Sequence, residues 1–345
     1  VNGAPVLKVE GLTTRFRTGY GIVTAVDGVS FSVGRGETLG LVGESGSGKS
    51  VTALSILRLV SKPGRIESGT VELNGVDLLK LDEEQMRQRR STQAALVFQN
   101  PMTALNPVFT IGWQLRETLK AHGRGEAGSA AILKALSDVG MPDPERQAAS
   151  FPHQMSGGMR QRVVIAMGML NDPQLLIADE PTTALDVTIQ AQVLDLMKRL
   201  THDHGTALLL ITHNMGVIAR MCDRVAVMYA GEIVEEAPVD ELFANARHPY
   251  TMGLLRSIPR VDQPRGQLPT LPGAPPDMSA LPAGCRFRER CPLAQERCQT
   301  HPELTAVAPA HTARCWVAQD AARESAAAGM RDDGPGRPQE PEHAV

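Results

Sequence analysis

No stretch of this sequence approaches the roughly 18 consecutive apolar residues that a membrane-spanning helix needs; the longest candidates are short, as in Val163–Leu170 and Ala207–Ile211. The chain is therefore not expected to cross a bilayer. The N-terminus also lacks a charged segment followed by an apolar core and a cleavage site, so cytoplasmic residence is expected, and any link to a membrane would run through other subunits. A strong excess of one charge is missing too. A net charge of -3 and a pI near 6.3 argue against a nucleic-acid binder held mainly by phosphate contacts. Internal repeats are absent. What is present, 42% hydrophobic and 21% charged residues over 345 positions, suits one large globular domain with an appendage.

Alternating apolar positions in Val6–Val9 and Val29–Val33 predict strands of a small antiparallel layer, and a strand pair is expected around Asn74 and Gly75. Leu39–Val42 differs: it is a continuous apolar run followed by a Gly/Ser loop and the helical pattern of Val51–Val60. From about Asp82 to Ala149 the sequence reads as helical and polar, a helical insertion. Apolar runs return at Leu175–Ala178, Ala207–Thr212 and Val225–Tyr229, which predicts a mostly parallel sheet covered on both faces. After Pro249 prolines accumulate and four cysteines follow, so a separate C-terminal module is expected. From about Ala321 the Ala-, Gly-, Pro- and charge-rich composition predicts a disordered tail.

Gly43-Glu44-Ser45-Gly46-Ser47-Gly48-Lys49-Ser50 fits a phosphate-binding loop, with Val51 opening the body of the following helix. Its glycines let successive N–H groups turn inward around phosphate oxygens, and the helix aims its positive dipole end at the anion. Lys49 can reach the β- and γ-phosphates, and Ser50 can ligate Mg²⁺. Leu175–Glu180 reads as a buried strand ending in two acids. There Asp179 can hold Mg²⁺ through water, while Glu180, farther from the metal and so more basic, can orient the attacking water.

With Met155-Ser156-Gly157-Gly158-Met159-Arg160-Gln161-Arg162 added, the sequence resembles the ABC ATPase family, whose signature motif this segment matches apart from Met155 and Met159. The remaining family elements follow in order. Gln99 resembles the Q-loop glutamine and a further Mg²⁺ ligand, Ala184-Leu185-Asp186 the D-loop, and His213 the switch histidine. The resemblance implies catalytic roles for Glu180, His213, Gln99 and Lys49. It also implies that Ser156, Gly157, Gly158 and Asp186 act in trans on ATP bound by a partner subunit. An aromatic residue stacking on adenine is expected upstream of the loop, either Phe16, which ends a strand-like segment, or Tyr20, which lies between two glycines.

Cys285, Cys291, Cys298 and Cys315 are separated by 5, 6 and 16 residues, and Cys222 stands alone. Disulfides are disfavoured in a cytosolic setting, and no pair has the two-to-four-residue spacing usual for zinc. A cluster held by four thiolates tolerates wider gaps. Arg247-His248-Pro249-Tyr250-Thr251 and Gly284-Cys285-Arg286-Phe287 resemble the oligopeptide and dipeptide importer subfamily, some members of which carry a C-terminal [4Fe-4S] site. That resemblance favours a [4Fe-4S] cluster on the four cysteines, with zinc or unligated thiols as alternatives.

The expected architecture is α/β: an ABC ATPase core over residues 5–245 with a helical subdomain near 100–165, a Pro/Cys-rich module over 246–320, and a disordered tail over 321–345. The implied function is ATP hydrolysis driving an importer, with dipeptides or oligopeptides as cargo and nickel or glutathione as alternatives. A soluble ABC ATPase of iron–sulfur assembly is the competing reading. The implied partners are a second ATPase subunit, identical or paralogous, two polytopic permease subunits and an external substrate-binding protein, with no nucleic acid. The implied location is peripheral, on the cytoplasmic side of the inner membrane.

Overall fold

The apolar runs read as buried strands divide their side chains between two cores, which fixes the layer order of the molecule. A computed structural model describes residues 3–19, 21–125, 128–183, 185–258 and 271–332. Strands β3 (Thr38–Val42), β8 (Ala207–Thr212), β7 (Leu175–Asp179) and β6 (Ala94–Val97) are parallel neighbours, with β9 (Arg224–Tyr229) parallel to β3 on the other side. Because successive strand side chains point to opposite faces, Leu208 and Leu210 join one core while Leu209 and Ile211 join the other. Val225 and Val227 separate from Ala226 and Met228 in the same way.

One face is covered by a four-stranded antiparallel sheet in the order β2-β1-β4-β5, formed by β1 (Leu7–Thr18), β2 (Gly21–Val33), β4 (Gly64–Leu73) and β5 (Val76–Asp77). Helix α1 (Lys49–Ile56) packs between this layer and the main sheet, with Ala53 and Ile56 in their shared core. Helix α2 (Glu83–Arg89) begins with a capping box between Asp82 and Gln85.

Helices α3 (Pro101–Ala104), α4 (Ile111–Lys120), α5 (Gly128–Asp138), α6 (Pro144–Ala149) and α7 (Gly157–Met169) form a helical unit after β6. The stretch Asp82–Ala149 is thus not helical throughout. The short run Ala94–Val97 forms an edge strand of the main sheet, pairing with β7, and delivers Gln99 to the site. Helices α8 (Val187–His204) and α9 (Met215–Met221) complete the cover of the second face. Gly40 of β3 admits α9 closely: a Cβ there would lie 2.5 Å from the Ile218 side chain and 3.0 Å from the Cys222 sulfur.

The C-terminal segment does not stand apart as a separate module. β10 (Glu232–Pro238) pairs antiparallel with β9, and after α10 (Val239–Asn245) and α11 (Pro249–Arg256) the chain returns to add β12 (His311–Ala313) to β10 and β11 (Thr305–Ala308) to β12. The main sheet thereby reaches eight strands, ordered β11-β12-β10-β9-β3-β8-β7-β6.

Residues 321–332, expected to be disordered, belong to helix α12 (Trp316–Asp332). Alanine, which weighed toward disorder in the composition, is the best helix former. The start of the helix is tied down by Gln319, which donates to the Ala313 and Glu303 carbonyls at 3.1 and 2.7 Å, and by the Arg297–Asp320 ion pair at 2.9 Å. Residues 333–345 of the expected tail lie outside the described residues.

Glu235, fully buried on β10, ties this segment together. Its carboxylate accepts from the Arg247 and His248 amides at 2.5 and 3.0 Å and lies 2.8 Å from the buried His311 ring. His248 caps α11 by accepting from the Tyr250 amide at 3.1 Å through Nδ1. Burial pushes the His248 imidazole down to about 4, with the Arg314 charge adding to the effect against the opposing pull of Glu235.

The unfolded chain therefore takes up a proton at this residue near pH 6.5, where the folded chain does not. The stabilisation is present above that pH and lost as pH falls toward 4, about 3 kcal/mol in all. His248→Asn keeps an acceptor at the cap and removes the titration. In urea melts its stability should decline less than the parent's between pH 7 and pH 4.5.

Candidate active site at the phosphate loop

The loop after β3 owes its shape to glycines placed where no side chain fits. Gly43, at φ 155°, would bring a Cβ within 2.1 Å of the Met228 carbonyl oxygen. Gly48, at φ 105°, would bring one within 2.2 Å of the Ala25 carbonyl oxygen. Gly48 is also the N-cap of α1, so the loop ends on a helix N-terminus with free N–H groups, the arrangement that holds anions. The buried Lys49 donates through its ammonium to the Gly43 and Glu44 carbonyls, both at 2.8 Å. Burial pulls its proton affinity down, against the charges of Glu180, Asp179 and Glu44.

The two acids at the end of β7 differ in surroundings. Asp179 is mostly enclosed. Burial raises its pKa, a hydrogen bond from Ser50 opposes this, and the Glu180 charge raises it further. Its Oδ1 is buried with no hydrogen-bond partner. A buried, partnerless carboxylate oxygen beside the Ser50 hydroxyl is the donor set a hard divalent cation takes, so the residues present fit Mg²⁺.

Glu180 follows in a left-handed backbone conformation, φ 47°, with its amide on the Ile211 carbonyl at 2.9 Å. Its carboxylate meets three side chains: Gln99 Nε2 at 3.0 Å, Thr183 Oγ1 at 2.9 Å and His213 Nδ1 at 2.9 Å. Burial raises its pKa. The hydrogen bonds of His213 and Thr183 and the charges of His213 and Lys49 outweigh that, leaving the group ionised below the usual range.

A cleft of about 600 Å³ opens here, which Asp179 itself does not border. Of the residues singled out in the sequence, Glu44, Ser45, Gly46, Gly48, Lys49, Ser50, Val51, Gln99, Glu180 and His213 border it, together with Ala25. Gly43 and Ser47 sit behind the loop, the Ser47 carbonyl accepting from the Gly231 amide at 2.9 Å. Phe16 is not brought to this cleft. It lies on β1 against Gly64, where an added Cβ would be 2.5 Å from its ring. Tyr20 and Ala184 lie outside the described residues.

Ser156, Gly157, Gly158 and Asp186 do not border the cleft of their own chain. Ser156 caps α7, accepting from the Met159 amide at 3.3 Å, and Asp186 caps α8, accepting from the Ile189 amide at 3.0 Å. Both helix starts are exposed, and Val187 beside Asp186 is 83% exposed.

Besides Ala25 and Thr183, residues that sequence reading did not assign to the site come from the C-terminal segment. The Tyr250 hydroxyl accepts from the Glu44 amide at 2.8 Å, and Arg290 makes a two-pronged pair with the Glu44 carboxylate at 2.7 and 2.9 Å. Separations of 206 and 246 residues leave no local signal for either contact.

All five cysteines are free. Cys285 is pushed up to about 11 by burial, with charges of the other three module thiols adding to it, and burial and neighbouring thiols likewise raise Cys291 and Cys315. The four thus share one neighbourhood. Yet among the described residues no group of three or more His, Cys, Asp or Glu side chains is gathered closely enough to hold a metal ion. As placed, the thiols do not close on a cluster.

Two family models match the chain: the ABC transporter model over residues 26–183, and the oligopeptide/dipeptide transporter C-terminal region over residues 234–298. A peptide import ATP-binding protein of Brucella abortus is 52% identical over 327 residues, covering 90% of this chain and 96% of its own. The oligopeptide transport ATP-binding protein OppD of Haemophilus influenzae is 44% identical over 319 residues, covering 92% and 98%. Among solved structures, the dimeric post-hydrolysis state of the ATP-binding cassette MJ0796 bound to ADP and Pi is 29% identical with a TM-score of 0.60, covering 68% of this chain and 98% of that one.

Proposed function

Because this chain belongs to the ABC transporter family, within its oligopeptide/dipeptide type, we propose that it is the ATP-hydrolysing subunit of a peptide importer and works as one half of an ATPase pair. The observation that carries the reading is the division of the site. The phosphate loop, Glu180, Gln99 and His213 meet in one cleft, with Asp179 behind Ser50, while the Ser156-Gly157-Gly158 corner and Asp186 do not border it. Each chain offers half of two sites, so two subunits, identical or paralogous, would enclose two nucleotides. The competing role in iron–sulfur assembly is not favoured by the match to the transporter C-terminal region.

Loop amides and Lys49 would hold the β- and γ-phosphates, Lys49 exchanging its bonds to the Gly43 and Glu44 carbonyls for phosphate oxygens. Ser50 and Asp179, joined by Gln99, would hold Mg²⁺, which when bound neutralises charge on the phosphates. Glu180, ionised and fixed by Gln99, Thr183 and His213, is placed to accept a proton from the attacking water, and His213 to stabilise the result. Adenine would rest against an aromatic upstream of the loop, and with Phe16 packed over Gly64 the remaining candidate is Tyr20.

Among the described residues no helix is long and apolar enough to cross a membrane. Attachment through two permease subunits, on the cytoplasmic face of the inner membrane, is the arrangement the family suggests, with cargo delivered by an external binding protein. An apolar groove of about 430 Å³ lined by Leu57, Leu59, Leu96, Phe98, Ala104 and Met167 suits an amphipathic helix from such a subunit. Polytopic subunits should co-purify with the chain and support ATP-dependent uptake of labelled dipeptides or oligopeptides, and Leu59→Glu should abolish both. Uptake of nickel or glutathione instead would change the cargo; co-purification with assembly scaffolds alone would overturn the reading.

For the cysteine module the proposal is a metal–thiolate staple, preferably [4Fe-4S]. Four free thiols share one neighbourhood in a segment whose own apolar cluster, among the described residues, buries only Ala313, Cys315 and Ala318. Anaerobically purified protein should contain about four irons and four sulfides per chain and show broad visible absorption that bleaches on reduction. Cys291→Ser should lower the iron content and leave ATP binding in place. Colourless protein with one zinc per chain would replace the cluster by zinc, and metal-free protein would remove the staple.

A further inference from the structure

The phosphate loop carries an acid where its ligand is an anion. Glu44 borders the cleft, and a free carboxylate there would repel the triphosphate. It is not free: Arg290 meets it with both terminal nitrogens, at 2.7 and 2.9 Å. Arg290 is itself 7% exposed, and two more of its five donors are used. Nε donates to the Pro272 carbonyl at 2.8 Å and Nη1 also to the Tyr229 hydroxyl at 3.3 Å, while the guanidinium lies 5.7 and 5.8 Å from the ring centres of Tyr229 and Phe287. The fork is thus held in place from the C-terminal segment, one residue before Cys291, and aimed at the loop.

A second arginine braces the turn that backs the loop. Arg286 donates to the Ala230 carbonyl at 2.5 Å and pairs with Asp27 and with Glu232, while the next amide, that of Gly231, bonds the Ser47 carbonyl.

We infer that Arg290 is a positioning residue of the ATP site: it neutralises the Glu44 carboxylate and fixes the loop, so that nucleotide affinity depends on the docking of the C-terminal segment. This rests on the proposed ATP site. The segment that sets this subfamily apart then acts on the shared phosphate loop through one ion pair, and loosening that segment weakens ATP binding without touching the groups that hydrolyse it.

Calorimetry on the full-length chain, with ATP and with ADP, tests it. R290Q should weaken ATP binding roughly tenfold, and ADP binding less because ADP carries less charge. KM should rise while kcat at saturating ATP stays near the parent's. The deciding variant is E44Q/R290Q: with the stranded carboxylate gone, ATP affinity should return to within about threefold of the parent. A mere buttress would show no such rescue, and R290Q weakness persisting in the double variant overturns the inference. Should R290Q not fold, R290K, which keeps the charge and loses the fork, is expected to be about threefold weaker for ATP, and unchanged affinity there overturns it as well. A parent protein that binds no ATP would defeat the proposed function itself; a parent that binds ATP, alongside an R290Q that binds it equally, defeats only this inference.

Discussion

Glu180→Gln should retain nucleotide and lose hydrolysis by roughly a hundredfold to ten-thousandfold, the range over which a positioned general base acts. The substitution is nearly isosteric, and a glutamine tolerates the left-handed backbone about as well as a glutamate does. Thr183 and Gln99 can still donate to its amide oxygen. What disappears is a carboxylate that His213, Thr183 and Lys49 hold ionised, and with it the group able to take a proton from water. Lys49, Ser50 and Asp179 are untouched, so ATP should bind and hold two subunits together without being consumed. Steady-state hydrolysis and gel filtration of the variant with ATP check both halves, and normal turnover in the assembled transporter would remove Glu180 from this role.

Lys49→Ala should give the opposite signature, a loss of binding that precedes any chemistry. The residue is 5% exposed and its ammonium is anchored by the Gly43 and Glu44 carbonyls, so the charge is desolvated and oriented by the loop itself. Charge-assisted bonds of this kind contribute about 3 kcal/mol, which corresponds to roughly a hundredfold in affinity. Calorimetry should show that fall for ATP, and an unchanged dissociation constant would dismiss the phosphate-loop assignment. Read together, the two variants separate holding the nucleotide from cleaving it.

The residues of the cleft were legible because they are local. A loop that must wrap phosphate needs Gly43, Gly46 and Gly48 at fixed spacing, and an apolar strand ending in Asp179 and Glu180 shows in any window of six residues. Continuous runs such as Ala207–Thr212 announced strands buried on both faces. Ala94–Val97 did not, because four residues with two alanines carry no strand signal of their own; pairing with β7 makes them a strand. Alanine misled again near the C-terminus, where α12 forms in a stretch whose composition suggested disorder. The contacts of Tyr250 and Arg290 with Glu44, and the pairing of β12 with β10, join positions far apart in the chain, and nothing in the neighbourhood of either partner predicts the other. Phe16 looked suited to adenine because it closes a strand; register with β4 instead sets it over Gly64.

The addition of β12 and β11 to the main sheet has a consequence for solubility. Without them β10, seven residues long and largely buried, would present an open row of unpaired amides and carbonyls, the template from which strands of separate molecules zip together. The chain instead ends its sheet on strands of three and four residues, too short to recruit a neighbour, so the same returning segment that reaches the phosphate loop also keeps one molecule from templating the aggregation of the next.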